Sequence, residues 1–145
     1  MIRTMTIQDY DAVHQLWLSC AGMGLNDVDD SREGIGRFLK RNPSTCFVAV
    51  EDDQVAGCIM AGHDGRRGYI YHTAVHPLHR RKGIAAALVE DALAALKHEG
   101  ISKVALVVFS RNEQGNAFWE KQGFTQRNDL VYRNKNLVEL IRIDT

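Results

Sequence analysis

The sequence predicts a mixed α+β domain: a central, mostly antiparallel twisted sheet with one parallel strand pair, flanked by about four helices. Three observations carry this. Strand-like runs at Cys46–Glu51, Val55–His63 and Tyr69–Val75 follow one another across short polar turns, the signature of an antiparallel meander. Ile84, Leu88, Ala92 and Leu96 then recur at helical spacing between Gly83 and Gly100. Val104–Phe109 is a continuous apolar run, hence a buried strand, and strand, long helix, strand implies a parallel crossover.

The remaining elements follow from local signals. Residues 1–5 suit a short first strand, and Thr6 with Asp9 has the spacing of a capping box. Tyr10, Val13, Trp17 and Ala21 mark a first helix, ended by Gly22 and Gly24. Asn26–Ser31 is an acidic loop that supplies an N-cap for a second helix carrying Ile35, Phe38 and Leu39. That helix stops before Asn42-Pro43. A short helix is expected over Glu113–Gln122 with Gly123 as its stop. Phe124–Val131 and Leu137–Ile143 are expected to close the chain as a hairpin.

With 145 residues and neither repeats nor a linker, the chain reads as a single domain over residues 1–145, long enough for a core without disulfides or a structural metal. No apolar run approaches the roughly 18 residues of a membrane span. The N-terminus lacks a secretory layout, and Cys20, Cys46 and Cys58 show no CxxC spacing. Both features predict a cytoplasmic protein without a metal site, its cysteines serving as small core residues. Eighteen basic against eighteen acidic residues leave no net charge, which disfavours a nucleic-acid surface.

The sum hides a local concentration. Val75-His76-Pro77-Leu78-His79-Arg80-Arg81-Lys82-Gly83-Ile84-Ala85 runs from a strand into the first turn of the long helix. A helix N-terminus offers unpaired N–H groups and a partial positive charge, Gly83 keeps the backbone bare, and three cations adjoin it. The chemistry is that of a phosphate-binding turn, though neither the P-loop nor the dinucleotide fingerprint is present. A solvated basic loop capping a helix is the alternative at this level.

Further on come Asn112, Gly115, Phe118-Trp119-Glu120-Lys121 and Gly123-Phe124. Arg-x-x-Gly-x-Ala at Arg80–Ala85, a long helix, a buried strand, Asn, and then aromatic-Glu-Lys-x-Gly-Phe resembles the GCN5-related N-acetyltransferase (GNAT) family over nearly the whole chain. The resemblance implies a splayed parallel pair, Tyr69–Val75 and Val104–Phe109, with acetyl-CoA in the gap between them. By that likeness the pyrophosphate sits on Arg80, Arg81, Lys82, Gly83, Ile84 and Ala85. The backbone of Ala74 and Val75 meets the pantetheine arm, and the Val75 N–H polarises the thioester carbonyl. Asn112 contacts the cofactor, Trp119 packs beside the pantetheine, and Lys121 reaches a phosphate. No metal is implied, and a homodimer is one option for the assembly.

The family reaction is direct attack by an amine in a ternary complex. Two departures stand out: Trp119 occupies the position where many relatives have an acidic Tyr, and Leu106–Phe109 carries no carboxylate base. Tyr71 is then a candidate for positioning water or substrate, and Ser110 for relaying a proton. Strict alternation sets Tyr69, Tyr71 and Thr73 on one face and Ile70, His72 and Ala74 on the other, so only a bulge would bring His72 round. Asn26, Asp27, Asp29, Asp30 and Glu33 form an acidic region suited to a cationic acceptor, or simply a solvated loop. The expected function is an acetyl-CoA-dependent N-acetyltransferase acting on a small-molecule or peptide amine. A non-catalytic CoA-binding relative is the alternative.

Overall fold

A computed structural model describes residues 1–145. Its frame is the meander β3 (Phe47–Glu51), β4 (Gln54–His63) and β5 (Gly68–Val75). Asp52 and Asp53 both take positive φ (50° and 61°) at the first turn, the mirror-image geometry that matches strand twist. At the second, Asp64 Oδ1 accepts from the N–H groups of Arg66 (2.8 Å) and Arg67 (2.9 Å), and these bonds hold its carboxyl below the usual range. β1 (Ile2–Thr4) pairs with β3, and β6 (Val104–Ala105) pairs with β5, giving the order β1-β3-β4-β5-β6. Every pairing is antiparallel except β5–β6.

β4 is buried on both sides, so its alternating residues feed two cores. Cys58 and Met60 pack with Val13 and Trp17 of α1 (Tyr10–Leu18) and Ile35 and Leu39 of α2 (Arg32–Arg41). Ile59 and Ala61 pack with Ile84, Leu88, Ala92 and Leu96 of α3 (Ile84–His98). Glycines fix how closely the layers approach. A Cβ on Gly57 would stand 3.0 Å from Ile84 Cγ2, and one on Gly62 would stand 2.7 Å from Asn42 Nδ2. The three cysteines are free and buried, and burial pushes the Cys46 thiol up to about 12. No helix is long and apolar enough to cross a membrane.

Two expectations give way. The run Val104–Phe109 is hydrogen-bonded as a strand only at Val104–Ala105, because the chain beyond diverges from β5. The closing hairpin is absent. β7 (Arg142–Ile143) instead pairs with β2 (Leu25–Asn26), a strand the sequence did not announce. Leu130, Val131 and Tyr132 are adjacent rather than alternating, so no strand face could bury them together, and all three are exposed.

The N-terminal crossover is clamped by charge. Arg3 donates to both oxygens of Asp9 (2.8 and 2.9 Å), and Asp9 Oδ2 also accepts from the Thr6 N–H at 2.9 Å. The Arg3 hydrogen bonds, and then the Thr6 N–H, hold the Asp9 carboxyl below its ordinary value against the opposing effect of burial. Arg3 keeps 42% of its side chain exposed, so solvent screens the pair. Asp9→Asn is expected to lower stability by about 1–2 kcal/mol in urea denaturation at neutral pH. The depressed value sets the sign: the stabilisation is complete above the unfolded-state value of about 3.9 and disappears as pH falls through the folded one, so the difference between the proteins closes in acid.

Candidate functional site

β5 builds the site through a bulge. Ile59 faces Thr73 and Ala61 faces Ile70, so two steps on β4 match three on β5, and both Tyr71 and His72 lie opposite Met60. The extra residue resets the alternation. Tyr71 packs edge-on to Phe38 of α2 (5.4 Å) and His72 edge-on to Trp17 of α1 (4.8 Å), both on the face toward the first two helices. Thr73 stands opposite Ile59, on the α3 side. His72 thus joins Tyr69 and Tyr71, contrary to the strict alternation expected from sequence.

The far edge of β5 is open. Only Gly68 and Tyr69 pair with β6. The His76 N–H donates to the Ala56 carbonyl at 2.7 Å, so alternation turns the backbone groups of Val75 and Thr73 the other way, into the gap. The Val75 carbonyl there accepts from Arg80 Nε at 3.1 Å and from the Cys20 thiol at 3.6 Å. The same alternation gives the Ala74 backbone to the ladder with Cys58. The free backbone edge at the gap therefore belongs to Thr73 and Val75, while Ala74 lines the wall. Thr73 Oγ1 is a buried hydroxyl with no partner.

At the end of β5 the chain makes a 3-10 turn, Pro77–His79, and enters α3 through Arg81 (φ 64°) and Gly83 (φ 80°). No side chain caps this helix. The Ala87 N–H makes the first intrahelical bond, to the Gly83 carbonyl, which leaves the N–H groups of Ile84, Ala85 and Ala86 without an intrahelical acceptor. Nothing lies within 4 Å of where a Gly83 Cβ would stand. Uncapped donors, bare backbone and the adjacent cations Arg81 and Lys82 fit an anionic group. The Ile84 side chain is buried in the core, so only its backbone is available. Arg80 turns back onto Val75 rather than toward the turn.

The opposite wall is the splayed Leu106–Ser110 and α4 (Glu113–Lys121). Asn112 caps α4, its Oδ1 accepting from the Gly115 N–H at 2.9 Å, which leaves its amide nitrogen free. Trp119 packs edge-on between Phe118 (5.0 Å) and Phe124 (5.2 Å). One cavity of about 1420 Å³ brings together Tyr71, Ala74, Val75, Arg80, Ala85, Ser110, Asn112 and Trp119. Arg81, Lys82, Gly83 and Ile84 stand outside its lining, at the turn, and Lys121 is exposed away from it.

The acidic loop is mostly structural. Asp27 Oδ1 accepts from the Ile141 N–H at 2.7 Å. Asp30 Oδ2 accepts from the Asn26 N–H at 2.8 Å, and its Oδ1 meets His72 Nε2 at 2.6 Å. Asp29 takes one bond from Asn26 Nδ2 (2.9 Å) and lines the cavity with its other oxygen unpartnered. Burial, then the Asp29 charge, pushes the Tyr71 phenol up, so at neutral pH it is a donor and not a base.

The chain has matches among known proteins in sequence and in fold. A family model described as Acetyltransferase (GNAT) family matches residues 10–124. The chain belongs to the GNAT acetyltransferase family. Acetyltransferase SG1711 of Sodalis glossinidius is 33% identical over 138 residues, covering 95% of this chain and 96% of that one. Among solved GNAT-like folds, the NatC complex bound to Gag peptide and CoA superposes with a TM-score of 0.75 at 23% identity, covering 88% of this chain and 86% of that one. The ribosomal-protein-S18-alanine N-acetyltransferase of Escherichia coli superposes with a TM-score of 0.73 at 18% identity, covering 88% and 79%.

Sequence reasoning missed Asp30 as the partner of His72. The loop that holds it leans on a glycine: a Cβ on Gly34 would lie 2.4 Å from the carbonyl oxygens of Val28 and Asp29. Gly34→Ala is therefore expected to displace this GNAT loop and to lower stability by about 1–3 kcal/mol. Gly36→Ala, with only Ile7 Cδ1 at 3.7 Å, should instead stabilise α2 by about 0.5–1 kcal/mol. Paired denaturant titrations of the two variants check both signs.

Proposed function

We propose that this GNAT protein transfers the acetyl group of acetyl-CoA to a primary amine of a small molecule or peptide, within one acetyltransferase domain spanning residues 1–145. The observation that carries the reading is the open edge of β5, where the Val75 N–H enters the gap a short distance along the chain from the uncapped N-terminus of α3. The NatC complex was solved with CoA and a peptide, which supports both the cofactor and the peptide-amine option. Buried free cysteines suit a reducing cytoplasm.

The thioester of bound acetyl-CoA supplies the activated acyl group. The residues of the chain do the rest. The N–H groups of Ile84, Ala85 and Ala86, with Arg81 and Lys82, hold the pyrophosphate on the α3 turn. The open backbone edge of β5 takes the pantetheine arm as an added strand would. The Val75 N–H donates to the acyl oxygen as charge develops on it. Asn112 Nδ2 and the Trp119 ring line the opposite wall. Tyr71 donates a hydrogen bond to the acceptor or to a water, and Ser110 relays a proton at the mouth.

Isothermal titration with acetyl-CoA, followed by CoA-thiol release with an alanine-terminated hexapeptide, spermidine and kanamycin, tests the reading. Binding and turnover of at least one amine are expected. Gly83→Glu places a carboxylate in the cradle and should abolish binding while leaving the circular dichroism spectrum intact. Unchanged affinity in Gly83→Glu would refute the cradle. Binding without turnover of any amine would favour the non-catalytic alternative.

A further inference from the structure

The bulge in β5 places one histidine where a proton acceptor is needed. The chain has six histidines, and among them His72 alone lines the large cavity. Its Nε2 lies 2.6 Å from Asp30 Oδ1, with 15% and 6% of the two side chains exposed. A carboxylate this buried needs partners, and Asp30 has them on both oxygens, the second being the Asn26 N–H at 2.8 Å. The Asp30 carbonyl is held as well, by the Tyr10 hydroxyl at 2.6 Å, and Trp17 braces the imidazole edge-on at 4.8 Å. Asp30 is thus fixed from α1, from the loop and through its own backbone.

This setting decides the tautomer. An acceptor on the Nε2 side puts the hydrogen of a neutral imidazole on Nε2 and leaves Nδ1 with its lone pair. Nδ1 has no hydrogen bond and is not among the sealed side-chain polar atoms lacking a partner, which are Trp17 Nε1 and Thr73 Oγ1, and His72 lines the cavity. Besides Asp30 the cavity holds one carboxylate, Asp29, which accepts from Asn26 Nδ2 at 2.9 Å and keeps one oxygen unpartnered, so it is the rival that the His72 variants test. The Tyr10 and Tyr71 phenols are both pushed up by burial and by neighbouring carboxylates, and Leu106–Phe109 carries no acid.

We propose that His72 Nδ1 is the base of the acyl transfer, directly or through one water, with Asp30 as its positioning residue; this rests on the acetyltransferase reading above. The acceptor ammonium gives a proton to Nδ1 and the Asp30 carboxylate stabilises the resulting imidazolium. The freed nitrogen lone pair forms the C–N bond at the acyl carbon. The C–S bond breaks with its electron pair leaving on sulfur. The thiolate takes the proton held by His72, and the second amine proton goes to solvent.

Two measurements test this. Long-range ¹⁵N–¹H spectra of the full chain labelled at histidine should show His72 as the Nε2–H tautomer at neutral pH, and Asp30→Asn should disturb that signature. An Nδ1–H tautomer in the wild type would overturn the assignment without any substrate. With the amine that the hexapeptide, spermidine and kanamycin panel selects, His72→Ala and His72→Gln should lose roughly 10²–10⁴-fold in kcat with acetyl-CoA affinity unchanged. Asp30→Asn should lose less kcat than either. Unchanged kcat in both His72 variants would overturn the base alone. A wild-type chain that binds no acetyl-CoA would overturn the acetyltransferase reading, and the base with it.

Discussion

Every backbone N–H and C=O inside a folded protein needs a partner, and β5 has two edges to satisfy. One is satisfied by β4 along nearly its whole length, while the other meets β6 at Gly68 and Tyr69 only. Beyond Tyr69 the strands part; the Val75 carbonyl is met by Arg80 and Cys20, and the N–H groups of Thr73 and Val75 face a gap. A sheet tolerates such an edge where something else can pair with it, and an extended chain carrying amides is the natural complement. The uncapped α3 turn follows the same strand, with the 3-10 turn Pro77–His79 between Val75 and Ile84.

The bulge adds the second constraint. Without the extra residue opposite Met60, His72 would turn toward α3 and Asp30 would lose its partner. With it, the strand serves two purposes along its length. Its backbone edge faces the gap near Val75, and its side chains at Tyr69, Tyr71 and His72 face the first two helices. The acidic loop gains its meaning from this geometry. Its carboxylates chiefly tie the loop to Asn26, Ile141 and His72, and Asp29 alone offers the cavity an unpartnered oxygen. The zero net charge of the chain is compatible with this layout, since the cations gather at the α3 turn and the buried carboxylate lies on the opposite side of β5.

Much of this was legible from residues. The Asp52-Asp53 turn, the period of Ile84, Leu88, Ala92 and Leu96, and the glycine stop at Gly100 are local signals, and local signals survive folding. The Arg81-Lys82-Gly83 cluster was readable because charge and glycine act where they stand in sequence. The bulge was not, because Tyr71 and His72 are ordinary strand residues and neither is a glycine or proline that would mark it. The His72–Asp30 contact joins positions 42 residues apart, and the turn of Arg80 back to Val75 depends on an edge that sequence leaves undefined. The missing hairpin is the same lesson in reverse, since Phe124–Val131 and Leu137–Ile143 read as strands but Leu130, Val131 and Leu137 find no face to bury them.

The central claim is that the open edge of β5 and the uncapped turn of α3 form one continuous ligand track. Backbone amide ¹⁵N–¹H spectra of the assigned chain, recorded during titration with CoA, test it most directly. The account predicts large shifts at the Thr73, Val75, Ile84, Ala85 and Ala86 amides, with a much smaller one at Ala74, whose N–H is held by β4. Shifts confined to the acidic loop or to the C-terminal segment, with Val75 and Ala85 unmoved, would contradict it.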